Sequence, residues 1–472
     1  MLRGVRGVGS RIRRLRRIGA PSWLRPDAVG LVVAILVLGG GAAAGLAAGG
    51  VIESEPAPNP GSHPTPPPPA ADLHPRLVAH RVERLRGLEF KHVPPVRVLP
   101  KTRFEMAIRN IGVRQRNGAA HQEPSKHFRR EGQAGQYFLK LAAVVPPEFE
   151  FGKAQQELGL EVLGLYDSER KRVLLPRELV SQGAEVAQGY LAHELTHALD
   201  DQHFGVELPD DADPYADSTA AFEALGEGDA SYVQLLYARR FGPSTLSARQ
   251  QIRQEAAGLA VPLTPPLVQA SLFPYVDGAK FVAALHQRGG SKIVDRAWRS
   301  RLPQTTQQIL HPADYFAGAK PVPVSAPPAN ALGHEWRSVA SGSVTEEDTR
   351  VLMSVGLRES VTVRIADGWD GARFEVWRRR GAPACVAACR EDTAGVAAWR
   401  WQTPKAAALF AGGLHDYALL GFLAKPAGPL LWKVDDGYMA ALPLARSSAI
   451  AFAPDPEQAR ALAKTAALRA AP

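Results

Sequence analysis

A five-residue string, His193-Glu194-Leu195-Thr196-His197, contains the side chains of this chain best suited to chemistry. On an α-helix, residues four apart lie one turn apart on the same face, so both imidazoles can bind one metal ion. Glu194 then lies where it can take a proton from a water at that metal. The string therefore predicts a hydrolytic metal site with His193 and His197 as ligands and Glu194 as general base. The alternative is a pair of solvated histidines on a surface helix.

The residues around this string predict a buried helix. No proline occurs between Gly183 and His203, and most of the residues there are good helix formers. Apolar side chains at helical spacing occupy more than one face, which is typical of a helix inside a protein. Because an unpaired buried charge is costly, histidines and a glutamate in such a helix need partners. A metal ion meets that need.

The third metal ligand is expected on a second helix, predicted from about Ser218 to Arg240. Zinc in a catalytic site takes three protein ligands and keeps one position open for water. Glu223 and Glu227 are four residues apart on one face of this predicted helix, so either can supply the third ligand. The alternative is an acidic surface helix.

This arrangement resembles the gluzincins, the zinc peptidases that include thermolysin and the membrane aminopeptidases. The resemblance rests on an HExxH helix followed by a helix with the sequence EGDA, which begins at Glu227. It implies a Zn²⁺ ion bound by His193, His197 and Glu227, and a close approach of the two helices at Gly228. Glu223 stays the alternative third ligand, because the 29 residues between His197 and Glu227 exceed the family's usual interval.

A further matching element carries a tyrosine. Pro274-Tyr275 is followed by Gly278 and a helical run, and aminopeptidase-like gluzincins have a similar element whose tyrosine hydroxyl stabilises the oxyanion. The resemblance implies that Tyr275 is a second catalytic residue, a role that suits a neutral phenol donor. The alternative is a core tyrosine after a proline turn. His311 is a weaker candidate for the same role.

Two short strands, 161–166 and 171–175, are predicted before the helix that carries His193 and His197, here called the metal helix. A polar turn joins them. In gluzincins a similar strand edge lies above the metal helix and binds the extended substrate. The chain has no counterpart of the element with which aminopeptidases bind a free amine. The resemblance therefore favours an endopeptidase over an exopeptidase.

The N-terminus predicts a membrane location. Residues 1–27 form a basic segment, residues 28–52 are uncharged and long enough to cross a bilayer, and residues 53–75 hold nine prolines. By the positive-inside rule the basic segment is cytoplasmic and the rest of the chain lies outside a cell membrane, on a semi-rigid linker. We therefore expect a single-pass signal anchor that contacts the lipid bilayer through residues 28–52. The alternative is a secreted protein whose signal peptide has been cleaved.

The basic net charge comes mainly from the N-terminal segment. Residues 1–27 contain eight arginines and one acid, so they account for +7 of the total of +9. The remainder is nearly neutral, which argues against a nucleic-acid-binding face.

The sequence predicts an α+β fold in three parts. Residues 76–150 are interpreted as an N-terminal helical part, residues 151–320 as a mainly helical, zincin-like catalytic domain with a short β-hairpin, and residues 334–472 as a small C-terminal α+β domain. In the last part, strands are predicted at 360–365, 372–378, 396–402 and 447–453. Cys385 and Cys389 are expected to form a short-loop disulfide or to remain free thiols.

These expectations describe a membrane-anchored, extracytoplasmic zinc metallopeptidase that hydrolyses peptide bonds in a peptide or protein substrate. The alternative is a catalytically silent cell-envelope protein that binds or assembles with other molecules. The cleavage specificity, the oligomeric state and the role of the C-terminal domain are left open by the sequence.

Overall fold

A computed structural model describes residues 73–118, 135–151, 163–206, 217–242 and 264–472, apart from 326, 329, 384 and 386. The predicted basic segment, membrane span and nearly all of the proline-rich linker lie outside these ranges. Within the ranges, no helix combines the length and the apolar character needed to cross a bilayer. The described part is a mixed structure of helices and two sheets.

The first part, here called the helical unit, carries a small sheet on one side. Its elements are α1 (Pro75–Arg86), β1 (Val96–Leu99), α2 (Lys101–Gly118), β2 (Leu165–Asp167), β3 (Arg172–Pro176), α3 (Arg177–Ser181), α4 (Ala184–His203), α5 (Asp217–Phe241), α6 (Pro265–Gly289), α7 (Ser291–Ser300), α8 (Thr306–Leu310) and α9 (Pro312–Ala317). The sheet has the order β1-β3-β2, with β1 parallel and β2 antiparallel to β3. Strand β2 therefore lies at an edge.

Two helices form where the sequence predicts them. The helix that contains His193 to His197 is α4. Its residues 187–200 are all buried, in agreement with the apolar pattern on several faces. The glutamate helix is α5. Strand β1 was not expected, since residues 76–150 were interpreted as mainly helical; its four residues join the sheet by pairing with β3, more than seventy residues later.

The second part, here called the C-terminal unit, is built on a seven-stranded antiparallel sheet. Its elements are β4 (Trp336–Ser343), α10 (Glu346–Met353), α11 (Glu359–Ala366), β5 (Trp369–Arg379), β6 (Thr393–Trp401), α12 (Pro404–Phe422), β7 (Lys425–Gly428), β8 (Leu431–Val434), β9 (Gly437–Pro443), β10 (Ser447–Ala453) and α13 (Pro456–Ala470). The strand order is β4-β5-β6-β10-β9-β8-β7. Alternate residues of each strand face opposite sides: α10, α11 and α12 cover one face and α13 covers the other.

The strands predicted at 372–378, 396–402 and 447–453 are present as β5, β6 and β10. The strand predicted at 360–365 is wrong, because these residues lie in helix α11. Their β-branched composition suggested a strand, but Thr362, Ile365 and Ala366 are the buried positions, at the three-to-four spacing of a helix.

Residues 135–151 pack on the C-terminal unit, although they precede the metal helix in the chain. Phe138 contacts Phe374 and Phe452 with ring centroids 5.4 and 6.4 Å apart. The Tyr417 hydroxyl donates a hydrogen bond of 2.9 Å to the Ala142 carbonyl. The chain thus passes from the helical unit to the C-terminal unit and back before it forms the metal helix.

The two cysteines are paired. Cys385 and Cys389 form a disulfide in the loop between β5 and β6, with their Cα atoms 6.5 Å apart, a separation that suits such a bond.

Candidate metal centre

Three predicted ligands converge on one point between α4 and α5. His193 Nε2 lies 3.1 Å from His197 Nε2 and 3.2 Å from Glu227 Oε2, and His197 Nε2 lies 3.5 Å from the same oxygen. Both imidazoles are buried, and the glutamate is partly buried. The helical spacing of the two histidines and the packing of α5 on α4 together produce this arrangement.

The distances suit a single metal ion. Bonds of about 2.0–2.1 Å at tetrahedral angles place neighbouring ligand atoms roughly 3.3 Å apart. The three observed separations, 3.1, 3.2 and 3.5 Å, lie around this value. Among the described residues, this is the sole group of three or more histidine, cysteine, aspartate or glutamate side chains close enough to hold an ion. The cluster can therefore bind a metal.

Charge distinguishes the two glutamates of α5. Burial alone would raise the pKa of Glu227, but the charge and hydrogen bonding of His197 and His193 lower it to about 2. Burial, followed by repulsion from Glu227, raises the pKa of Glu223 to about 8. Glu227 is the anionic member of the cluster, and Glu223 is an uncharged acid one turn away. The structure thus groups Glu227, rather than Glu223, with the two histidines.

Glu194 lies beside the cluster in a closely fitted position. Its side chain is fully buried, and its carboxylate has no side-chain hydrogen-bond partner among the described residues. A Cβ on Gly164, just before β2, would come within 2.8 Å of Glu194 Oε1, so a larger residue at 164 would displace the Glu194 side chain. Burial raises the pKa of Glu194 to about 8; Glu227 adds to this rise, while His193 and the backbone of Tyr166 oppose it. A buried carboxyl with a raised pKa next to a cluster of possible metal ligands is suited to proton transfer.

Gln234 orients the first histidine. His193 Nδ1 lies 3.1 Å from Gln234 Oε1, which accepts its hydrogen bond. With the proton held on Nδ1, the lone pair of Nε2 faces the cluster, as a metal ligand requires. Gln234 lies two turns after Glu227 on α5, so one helix supplies both a ligand and the group that orients another.

Tyr275 reaches the same site from a third helix. It lies within α6, rather than after a proline turn, and its ring stacks on His193 with centroids 6.4 Å apart. The approach depends on two glycines, because a Cβ on Gly228 would lie 2.3 Å from the backbone of Gly278. Gly228 was expected to bring α4 and α5 together. That expectation is wrong about the helix that Gly228 contacts. The close contact is with Gly278 of α6, and it brings Tyr275 to the cluster.

A second cluster of ionisable groups joins α4 and α5 around the buried Arg86. Arg86, from α1, contacts Asp229 (Nε to Oδ2, 2.9 Å), Asp295 (Nη1 to Oδ1, 2.8 Å) and Asp200 (Nη2 to Oδ1, 3.4 Å). Asp229 also accepts a hydrogen bond of 3.0 Å from the Trp298 indole. Burial and the neighbouring charge of Asp229 raise the pKa of Asp200 well above its usual range, although Arg86 opposes the rise. We call these four charged residues the Arg86 cluster.

Asp201 ties the edge strand to the metal helix. Its Oδ2 accepts hydrogen bonds from the Tyr166 hydroxyl at 2.7 Å and from Lys171 Nζ at 2.6 Å. Tyr166 is in β2 and Lys171 is in the turn that follows it, so this carboxylate holds the hairpin against the end of α4. Asp200 and Asp201 both belong to α4.

His311 is not part of the cluster. Its Nε2 lies 2.8 Å from Glu346 Oε2 of α10, and this hydrogen bond raises the pKa of the imidazole. The residue links the helical unit to the C-terminal unit.

Sequence reasoning missed Gln234 and Arg86. The spacing of seven residues between Glu227 and Gln234 is a detectable signal, because both lie on one helix face. Arg86 gave no such signal, since more than a hundred residues separate it from the carboxylates that it contacts. A comparison of the chain with protein-family models, curated proteins and solved structures finds no match.

Proposed function

We propose that this protein is a zinc-dependent metallopeptidase of the gluzincin type. The proposal rests on one observation above the others: two histidine nitrogens and one carboxylate oxygen meet at separations of 3.1–3.5 Å beside the buried Glu194. Two imidazoles and a carboxylate are a donor set of catalytic zinc sites, which keep a fourth position open. His193, His197 and Glu227 would hold the ion.

The residues around the cluster supply the remaining chemistry. Zinc, when bound, acts as a Lewis acid and lowers the pKa of a water toward neutrality. Glu194 accepts the proton of the attacking water and later donates it to the leaving amine. The Tyr275 hydroxyl donates a hydrogen bond to the carbonyl oxygen as negative charge develops on it. His193, oriented by Gln234, keeps its Nε2 lone pair directed at the ion.

The edge strand supports a peptide as the substrate. Strand β2 ends the strand order of its sheet, and Gly164 and Tyr166 at this strand are next to Glu194. In gluzincins a similar strand binds the extended substrate beside the general base. The same resemblance favours an endopeptidase.

The decisive experiment compares two glutamates of α4. The full-length chain is purified, its zinc content is measured, and hydrolysis of casein and of a quenched fluorogenic peptide library is followed. Glu194→Gln should retain one zinc per chain and lose at least ~10³-fold of the activity, since proton transfer by the general base and part of the water activation are lost together. Glu185→Gln, an exposed position in the first turn of α4, should behave as wild type. Zinc at one per chain without Glu194-dependent hydrolysis would contradict the peptidase proposal and would favour a silent binding protein.

We further propose that residues 28–52 anchor the protein in a cell membrane with both described units outside. The uncharged stretch, the arginines before it and the proline-rich linker after it support this location. Protease treatment of intact spheroplasts should degrade the C-terminal unit. Recovery in the culture medium of a chain lacking residues 1–52 would instead indicate a cleaved signal peptide.

A further inference from the structure

We propose that the C-terminal unit positions Tyr275, by holding the first half of α6 while the metal-binding helices hold the second half. The inference rests on the proposed function for the role of Tyr275 but gives the C-terminal unit a task that the proposed function leaves unassigned. Leu267 and Pro274 are the positioning residues.

The two halves of α6 are packed in different cores. Leu267 and Ala270 are fully buried among the residues of the C-terminal unit, together with Val351 and Met353 of α10. From Phe273 onward, the buried residues of α6 pack instead against α5, in a core that includes Phe281, Val282 and Leu285. Each half therefore follows the unit on which it packs.

Each half of α6 has an attachment to its own unit. Thr264, the residue before α6, donates a hydrogen bond of 2.7 Å to the Val144 carbonyl in the segment that packs on the C-terminal sheet. On the other side of Tyr275, a Cβ on Gly278 would lie 2.2 Å from the Ala224 carbonyl oxygen of α5. The tyrosine is thus held between an attachment to the C-terminal unit and an attachment to the helix that carries Glu227.

Pro274 lies at the junction between the halves. Proline has no backbone N–H, so the Ala270 carbonyl receives no helical hydrogen bond from position 274, and the ring crowds that carbonyl. A helix bends most easily at such a point. Because Tyr275 is the next residue, the direction of its side chain depends on the angle between the two halves, and hence on where the C-terminal unit holds Leu267.

The experiment follows the Tyr275 ring directly, without substrate. The full chain, which has ten tyrosines, is labelled with 3-fluorotyrosine, and Tyr275→Phe identifies its ¹⁹F resonance. Loading the site with Co²⁺, with Zn²⁺ as the diamagnetic reference, gives a paramagnetic shift that falls with the cube of the distance from the metal. Leu267→Ala and Pro274→Ala should each change the shift of Tyr275.

The control is Leu414→Ala, a buried leucine of the same core that lies in α12 and not in α6. It should lower stability as Leu267→Ala does and leave the Tyr275 shift unchanged. Pro274→Ala should be at least as stable as wild type because it restores a helical hydrogen bond, so a changed shift there cannot be attributed to unfolding.

Hydrolysis gives a second measurement. Leu267→Ala and Pro274→Ala should lower kcat about tenfold while KM and zinc affinity stay within about twofold, since a displacement of about 1 Å is enough for such a loss. In a Tyr275→Phe background the same substitutions should have little further effect. An unchanged Tyr275 shift in both variants, or a loss of kcat that persists in the Tyr275→Phe background, would overturn the inference. If Glu194→Gln shows that the protein is no peptidase, the ¹⁹F shifts still decide whether the C-terminal unit positions Tyr275.

Discussion

Two clusters shared by α4 and α5 hold similar groups but differ in the source of positive charge. In one, His193, His197 and Glu227 converge, and among the described residues no lysine or arginine pairs with Glu227. In the other, Asp200 and Asp229 meet Arg86, a cation that the chain supplies itself. The same two helices provide both clusters, only a few residues apart.

This difference teaches how to tell a metal site from a structural ion-pair cluster. Buried carboxylates need a compensating positive charge, and in the Arg86 cluster the guanidinium forks to three of them. In the His193–His197–Glu227 cluster the donor atoms are 3.1–3.5 Å from one another, so one ion can lie within bonding distance of all three. The Arg86 cluster has its cation within the chain, whereas the convergent cluster can hold a metal ion.

The largest expected effect concerns the cluster of His193, His197 and Glu227, which can hold an ion from solution. Glu227→Gln removes the anionic ligand and should weaken zinc binding by about 5 kcal/mol, roughly a third of the binding free energy of a full zinc site. Competition with a chelator of known affinity measures this loss. A Glu227→Gln protein that binds zinc within tenfold of wild type would show that Glu227 is not a ligand.

Substitutions in the Arg86 cluster should change the free energy of unfolding. Arg86→Met leaves buried carboxylates without their cation and should lower the free energy of unfolding of the metal-free protein by about 3–4 kcal/mol. Urea denaturation measures it, and Arg84→Met, at an exposed position of the same helix, is the control. Adding Asp200→Asn and Asp229→Asn to Arg86→Met should recover much of the loss; no recovery would mean that packing, rather than charge, explains the effect.

A smaller effect on zinc affinity is expected at Gln234 of α5. Gln234→Ala removes the acceptor that orients His193 and should weaken zinc binding about 10- to 100-fold. Gln234→Glu keeps an acceptor at the same position and should restore most of the affinity. Equal affinities in Gln234→Ala and wild type would contradict the orienting role.

The smallest effect on the metal is expected at Glu223. Glu223→Gln should change zinc affinity by no more than about threefold, since an uncharged acid is replaced by an amide of the same shape. In the metal-free protein the pKa of Glu223 is about 8, above its ordinary value of 4.5. A carboxyl that holds its proton more tightly when folded makes the wild type lose stability as the pH rises from about 4.5 to 8.

The glutamine variant lacks this loss. Its stability relative to wild type should therefore increase across that pH window and then remain constant. Thermal unfolding of both metal-free proteins at several pH values measures the difference, and a difference that stays constant with pH would contradict the raised pKa.

Features set by local spacing could be predicted from the sequence. The helices carrying His193, His197 and Glu227 follow from periodicity, and so do three strands of the C-terminal unit. Features set by distant pairing could not. Arg86 and β1 find their partners far along the chain, and α11 forms a helix because its buried positions fit the core despite residues that prefer strands. The contact at Gly228 combines a local and a distant feature. A close approach of two helices at this glycine could be predicted, but the identity of the second helix, α6, could not.

The path of the chain between the two units has a consequence for biosynthesis. Residues 135–151 are made early, but their contacts come late: Ala142 accepts its hydrogen bond from Tyr417, 275 residues further on. Such distant pairing slows folding and leaves apolar segments waiting for their partners. The first half of α6 also packs on the C-terminal unit, which is synthesised later. A ribosome must therefore make nearly the whole chain before the first half of α6, which leads to Tyr275, has its packing partners, whereas His193, His197 and Glu227 are all made much earlier.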